Sequence, residues 1–185
     1  MKKILVLTAG LLLAASTAFA QLGTTTVTSN LKVVVGPEAA LTIQTAEADF
    51  TSPTNFSNYV STNPTNFTYF VRTTEGSGTG AVTFRVTTDF SGGTGPSVQH
   101  PPTAGDALTY TCGAPTAPAA GSATQCSGSQ TVAWATDMPV LSFGFGTHSH
   151  KAGDGASIAS WTLSNDPLYQ VGSYTATVTL TISAT

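Results

Sequence analysis

The sequence is poor in charged residues. Asp, Glu, Lys and Arg make up 8% of the chain, against about 25% in typical globular proteins. The six Lys and Arg residues are scattered, so the sequence offers no basic patch of the kind that contacts nucleic-acid phosphates, and no nucleic-acid partner is expected. A surface of Thr, Ser, Asn and Gly suits a protein outside the cell or a subunit packed against others. Compositional drift in a β-rich secreted protein is the competing explanation.

Long apolar runs are also scarce. The clearest one spans residues 4–15, follows Met1-Lys2-Lys3 and precedes Ala18-Phe19-Ala20. This pattern is typical of a signal peptide, here residues 1–20, and the run is shorter than the roughly 20 apolar residues that span a bilayer. We therefore expect a protein that is secreted, periplasmic or on the cell surface of a bacterium. An uncleaved N-terminal anchor is the alternative.

Removal of residues 1–20 changes the charge and leaves no membrane segment in the expected mature chain. Lys2 and Lys3 are lost, so four Lys and Arg remain against nine Asp and Glu, a formal net charge of −5. No second apolar run of membrane length follows. The expected domain is a single one of residues 21–185, long enough to bury a core.

Cysteine is limited to Cys112 and Cys126. Export places both in an oxidising compartment, where such a pair forms a disulfide. The loop that it closes has 13 intervening residues, and the chain-entropy argument gives a stabilisation of about 3 kcal/mol. The sequence has no Cys-x-x-Cys motif, which disfavours a redox or metal pair.

Motifs that would indicate catalysis are missing from the sequence. No Gly-x-Ser-x-Gly elbow is present, and the glycine-rich residues 76–80 join two β-type runs without a following Gly-Lys-Ser/Thr, as in a hairpin turn. We therefore expect neither an enzyme nor a cofactor. A secreted hydrolase whose site is scattered along the chain remains a third functional hypothesis.

His148 and His150 are the main candidates for a metal site. In an extended segment, residues i and i+2 lie on one face, so the two imidazoles could share a metal ion. A metal site needs three or four ligands, and only His100 or Asp154 could complete this one. The favoured interpretation is a pair of exposed loop histidines without a metal.

What the sequence does contain is alternation with a period of two, interrupted by Gly and Pro clusters. From Tyr174 to Thr185, apolar residues alternate with Thr and Ser, which predicts a strand with one buried face. Similar runs are Leu31–Val35, Leu41–Ile43, Phe67–Val71, Val82–Val86, Leu108–Cys112, Leu141–Phe145 and Trp161–Leu163. The sequence therefore predicts an all-β, antiparallel β-sandwich, immunoglobulin-like or jelly-roll-like, with about eight strands and one disulfide.

The two ends of the chain resemble known proteins. The mature start, Thr24-Thr25-Thr26-Val27-Thr28 followed by residues 31–35, and the closing segment, residues 172–182, resemble the ends of secreted bacterial pilus subunits of the spore-coat-U and chaperone–usher type. Those subunits often carry a Cys early in the mature chain, whereas residues 36–43 have none. The resemblance implies an incomplete sandwich whose missing strand comes from a neighbour's N-terminal extension.

Residues 21–35 therefore have two interpretations. They form either the domain's own first strand or a donor strand for another subunit. Strand exchange would use Val27, Leu31, Val33 and Val35, whose spacing fills alternate pockets along a groove. Partners would then be copies of this chain or related surface subunits.

The leading functional hypothesis is an exported structural protein of the cell surface, with a pilus-type or fibre-type subunit as its specific form. The alternative is a secreted module that binds carbohydrate or another surface ligand through residues 91–106 and 146–155. Trp134 could contribute to a sugar-binding face, whereas the alternating run around Trp161 predicts that this residue belongs to the core.

Overall fold

The computed structural model describes residues 28–51, 53–90 and 94–185. The chain divides after Val34, and the unit from Val35 to Thr185 contains all the strands. The predicted signal peptide and Val27 lie outside the described residues. Within the described ranges there is no helix, so the prediction of an all-β fold is confirmed.

The described residues form ten strands. These are β1 Glu38–Ile43, β2 Tyr59–Val60, β3 Thr65–Arg72, β4 Gly80–Thr88, β5 Leu108–Cys112, β6 Ala123–Gln125, β7 Ser129–Thr131, β8 Met138–Phe143, β9 Asp154–Leu163 and β10 Thr177–Ala184. Several are only two or three residues long, which is why the sequence pattern predicts about eight.

The strands form two antiparallel sheets. The first has the order β1-β3-β9-β5-β7, with the short β2 also paired to β9, and the second has the order β10-β4-β8-β6. The edges of the first sheet are thus β1 and β7, and those of the second are β10 and β6. The predicted antiparallel sandwich is confirmed.

The core lies between the sheets and follows the predicted alternation. Its largest part is an aromatic cluster in which the Phe84 ring lies 4.8 Å from the Tyr110 ring and 5.1 Å from the Trp161 ring. The polar atoms of this cluster are satisfied, because the Tyr110 hydroxyl donates to Pro139 O (2.7 Å) and Trp161 Nε1 donates to Thr65 Oγ1 (3.0 Å). The predicted core position of Trp161 is confirmed.

The disulfide between Cys112 and Cys126 is confirmed, with 5.6 Å between the two Cα atoms. Cys112 ends β5 in the first sheet, whereas Cys126 follows β6 in the second. The bond therefore joins the two sheets. On the same side of the sandwich the chain crosses from β6 to β7, so this side is closed by covalent connections.

The sequence prediction is wrong for Phe145. Its alternation with Leu141 and Phe143 places it on the buried face of a strand, but β8 ends at Phe143 and the Phe145 side chain is 64% exposed. Leu141 and Phe143 do share the buried face, since the irregularity in the pairing of β4 with β8 lies before them, at Val140. Phe145 is exposed because the chain leaves the strand after Phe143 and turns at residues 145–146, where Gly146 has a φ of +59°.

The strand expected over residues 31–35 is absent, because residues 28–37 contain no strand. Leu31 is 98% exposed and Val33 is 83% exposed, so neither side chain is buried in the structure. Gly36 and Pro37 separate this stretch from β1, and Pro37 has no N–H to continue a ladder. The structure shows no strand in residues 28–35, and both interpretations of residues 21–35, own first strand and donor strand, stay predictions.

Candidate functional site: an apolar groove between two edge strands

The sandwich is open on the side opposite the disulfide. Here the edge strands β1 and β10 run alongside each other, with Cα atoms within 8 Å. Among the described residues, β1 pairs only with β3 and β10 pairs only with β4. Each strand therefore presents one main-chain edge whose N–H and C=O groups have no partner strand.

A groove of about 330 Å³ lies between these two edges. β1 supplies Leu41 and Ile43, β10 supplies Val178, Thr179 and Leu180, and the groove is also lined by Phe67. No charged side chain lines it, so its surface favours an apolar occupant. Ile43 remains 50% exposed, which leaves apolar surface in contact with water.

The two neighbouring strands of the second sheet differ in how well their inward side chains are covered. On β4, Val82, Phe84 and Val86 are at most 1% exposed. On β10, the inward residues Val178 and Leu180 are only half-buried, although they occupy equivalent positions in the alternation. The difference follows the strand order, because β4 lies between β10 and β8 whereas β10 is an edge strand among the described residues.

The residues predicted from the sequence to take part in strand exchange lie in an exposed segment before β1. Leu31, Val33 and Val35 have side chains that are 98%, 83% and 61% exposed. If this segment became extended, these aliphatic side chains at i, i+2 and i+4 would lie on one face of it. Val27, the fourth predicted residue, lies outside the described residues.

His148 and His150 each interact with a different carboxylate. His148 Nε2 lies 3.3 Å from Glu75 Oε1, and His150 Nδ1 lies 2.7 Å from Asp154 Oδ1. His100 lies in the connection between β4 and β5, whereas the other two histidines lie in a different connection, between β8 and β9. In the part of the chain that the structure describes, no three His, Cys, Asp or Glu residues are arranged to hold a metal ion.

The long connection between β4 and β5, one of the two predicted ligand-binding loops, is organised by Asp89. Burial alone raises the pKa of this carboxyl, but hydrogen bonds from the Ser97 hydroxyl (2.6 Å) and the N–H groups of Val98 (2.8 Å), Gln99 and Phe90 outweigh it. The pKa of Asp89 therefore lies below its usual value. The ionised carboxylate is thus a structural anchor of the loop.

The anchoring role of Asp89 predicts a pH-dependent loss of stability in the Asp89→Asn variant. Because the pKa is lowered by folding, the ionised form stabilises the fold above about pH 4, and this stabilisation is lost as the pH falls through the folded-state value. We expect Asn to reduce the free energy of unfolding by about 1–2 kcal/mol at pH 7. In calorimetry the midpoint should fall by about 4 °C, and the difference should shrink below pH 3.

Asp137→Asn provides the matched control. Its carboxylate pairs with Arg85 at 2.8 Å, but both side chains are about half exposed, and such surface pairs contribute about 0–1 kcal/mol. A midpoint difference for Asp89→Asn that is equal at pH 7 and pH 3 would contradict the anchoring role.

Sequence reasoning identified the strand faces around the groove but missed the groove itself. Leu41 and Ile43 were predicted to face together, and Val178 and Leu180 to share the apolar face of the last strand. Nothing in the local pattern indicates that β1 and β10 meet as unpaired edges, because that depends on the order of strands in both sheets.

Comparisons with known proteins do not assign this chain to a family. In the described part of the chain, the structure has no helix with the length and apolar character needed to cross a membrane. No protein-family model, curated protein or solved structure matches the chain.

Proposed function

We propose that this protein is an exported structural subunit that assembles into fibres by β-strand addition. Residues 27–35 of one copy fill the groove between β1 and β10 of another. The observation that carries the proposal is the apolar groove bordered by two edge strands, each of which has no partner strand on its outer edge among the described residues. The resemblance of the chain ends to bacterial pilus subunits supports the same function.

The free edge of β10 supplies the main-chain part of this interaction. β10 has eight residues, and residues 27–35 form a stretch of similar length. A strand placed beside β10 would pair its main chain with that edge, the mode known as β-augmentation. Because a strand adds hydrogen bonds along its whole length, the edge provides affinity without requiring a particular side chain.

Side chains supply the specificity. In an extended segment Leu31, Val33 and Val35 point to one side about 7 Å apart, the same repeat that separates Val178 from Leu180 on β10. Burying each aliphatic side chain contributes about 1.5–3 kcal/mol before the cost of ordering the segment. A one-residue shift would turn Lys32 and Val34 into the groove, so the alternation also fixes the register.

The geometry of the exchange yields a fibre rather than a closed dimer. The segment and the groove are different surfaces of the same chain, so the contact is heterologous, and heterologous contacts that do not close a ring produce open filaments. The disulfide and the β6–β7 crossing cover the other side of the sandwich. Each copy then has one groove and one segment.

The proposal predicts that Leu31→Asp/Val33→Asp abolishes assembly. Both side chains are exposed in the single chain, so the substitutions leave the fold intact, but they would place two carboxylates in an apolar groove. Assembly is measured on the chain without residues 1–20 by size-exclusion chromatography and negative-stain microscopy. Binding of a synthetic peptide of residues 24–36 to a chain that begins at Val35 isolates the strand-addition step from assembly.

Asn30→Asp/Val34→Asp is the matched control. It adds the same two negative charges on the opposite side of the extended segment and is expected to assemble like the parent chain. The proposal is wrong if the peptide does not bind, or if both double variants behave alike.

A further inference from the structure

A second cleft, on the outer face of the first sheet, is chemically different from the groove. It has a volume of about 500 Å³. β1 contributes Glu38 and Ala40, β3 contributes Phe70 and Arg72, and residues 148–151 of the β8–β9 connection form the remaining wall. We refer to it as the Phe70 cleft.

The Phe70 cleft collects most of the basic side chains of the sandwich unit. Residues 35–185 contain six Lys, Arg and His residues in total, and four of them line this cleft: Arg72, His148, His150 and Lys151. Arg72, His148 and His150 each contact a carboxylate, of Glu38, Glu75 and Asp154 respectively. The preference for a ligand with hydrogen-bond acceptors and negative charge therefore rests on Lys151 and on the unused donors of Arg72.

Two of these cations retain unused donors. The Arg72 guanidinium is held by Gly36 O (2.7 Å from Nε) and by Glu38 Oε2 (2.8 Å from Nη2), which leaves Nη1 without a hydrogen bond among the described contacts. Lys151 forms no ion pair with any described residue. Arg presents its donors in a planar fork that matches a carboxylate, and Lys adds a mobile point charge.

His150 is oriented by a buried carboxylate. Asp154 has a side chain that is 2% exposed, and its Oδ1 lies 2.7 Å from His150 Nδ1. Asp154 also accepts a hydrogen bond from the His150 main-chain N–H through Oδ2 (3.1 Å), so the carboxylate holds both the ring and the backbone of His150. The other ring nitrogen, Nε2, is left for a ligand, and the ring itself remains 55% exposed.

The wall formed by residues 148–151 is held on two sides, by β3 and by the connection between β5 and β6. Ser149 N donates to Val71 O (2.9 Å), and the Ser149 hydroxyl accepts from Val71 N (3.0 Å). His148 exchanges two main-chain hydrogen bonds with Ala120 (3.0 and 3.1 Å). A wall fixed in this way is preorganised, and preorganisation lowers the entropic cost of binding.

A tight turn closes the same connection over the aromatic ring. Gly153 has a φ of +80° and donates to His150 O (2.9 Å). A Cβ at this position would come within 2.8 Å of the Phe70 ring, so glycine is required both by its backbone angle and by this close approach. Phe70 is thereby held as the half-buried floor of the cleft.

We propose that the Phe70 cleft binds an acidic sugar, a pyranose that carries a carboxylate. The sugar's apolar C–H face would pack on Phe70 and Ala40, as sugars do on aromatic rings, while Arg72 and Lys151 contact its carboxylate. His150 Nε2 and Glu38 are placed to bind hydroxyl groups. The volume lies within the usual range for small-ligand sites, about 300–1,000 Å³.

The proposal is independent of fibre assembly, because every residue that it uses lies in one sandwich unit. If the protein also forms fibres as proposed above, each copy would present one such cleft, and weak single sites would act together on a polysaccharide surface. The test therefore uses the Leu31→Asp/Val33→Asp chain, so that failure of sugar binding and failure of assembly remain separate results.

The probe is a galacturonic acid oligosaccharide, and its methyl ester is the neutral control with the same ring. Titration calorimetry or NMR shift mapping is expected to show binding of the acid form at least tenfold tighter than that of the ester. Lys151→Gln should weaken binding of the acid about fivefold or more, whereas Arg85→Gln, which removes one charge from the second sheet, should leave it unchanged. Phe70→Leu should weaken both forms.

Three outcomes would overturn the proposal. One is absence of binding at millimolar oligosaccharide, and another is equal weakening by Lys151→Gln and Arg85→Gln. The third is equally tight binding of polyglutamate, which would identify a general site for acidic polymers rather than for a sugar.

Discussion

A chain that carries a second copy of residues 26–36 after Thr185, joined by a two-residue Asn-Gly turn, is expected to remain monomeric and to unfold about 10 °C higher than the parent chain. The turn directs the added segment back along β10 as an antiparallel hairpin. Its Leu31-type and Val33-type side chains would then cover Val178 and Leu180, which are only half-buried in the parent.

The size of the effect follows from the side chains that are buried. Each aliphatic residue contributes about 1.5–3 kcal/mol, part of which is lost in ordering the added segment. A net gain of about 3–4 kcal/mol corresponds to roughly 10 °C for a chain of 150–250 residues. Thermal unfolding by circular dichroism measures the shift, and size-exclusion chromatography measures the loss of assembly.

The control carries Asp at the Leu31 and Val33 positions of the added copy only. This chain has the same length and the same turn, but its added segment cannot enter the groove, so its unfolding midpoint should equal that of the parent and it should assemble. An equal rise in both chains would mean that the added segment stabilises the protein without occupying the groove.

The fold could be predicted from the sequence where one strand carries its own signal. Val82, Phe84 and Val86 alternate with polar residues and are at most 1% exposed in the structure. Such alternation identifies the buried face of a strand because successive side chains point to opposite sides. The disulfide was predictable for a similar reason, since an exported chain with two cysteines has only one intramolecular pairing.

The two surfaces proposed to bind partners could not be predicted, because each joins residues distant in the sequence. Leu41 and Leu180 line one groove only because β1 and β10 are the edge strands of different sheets. Arg72 and Lys151 share a cleft because the β8–β9 connection folds over the end of β3, where His148 forms an isolated bridge with Arg72. Local periodicity contains no information about strand order.

The disulfide gives the second large expected effect. Replacing both Cys112 and Cys126 by Ala should lower the free energy of unfolding by about 3 kcal/mol, because the bond restricts the unfolded chain by closing a loop of 13 intervening residues. Chemical denaturation with urea is the direct measurement, and the midpoint of thermal unfolding should fall by about 6–12 °C. The parent chain under reducing conditions should show a similar loss.

Replacing both cysteines by Ala in the chain with the added strand tests whether the disulfide acts on the unfolded chain or on the folded state. An effect on the unfolded chain is the same whether or not the groove is filled, so the loss should again be about 3 kcal/mol, within about 0.5 kcal/mol of additivity. If the bond instead held the sheets together in the folded state, its loss would be larger in the parent. In the parent, the opposite side of the sandwich is already open at the groove, so without the bond neither side would hold the two sheets together. A clearly larger loss in the parent would therefore show that the two sides of the sandwich are coupled.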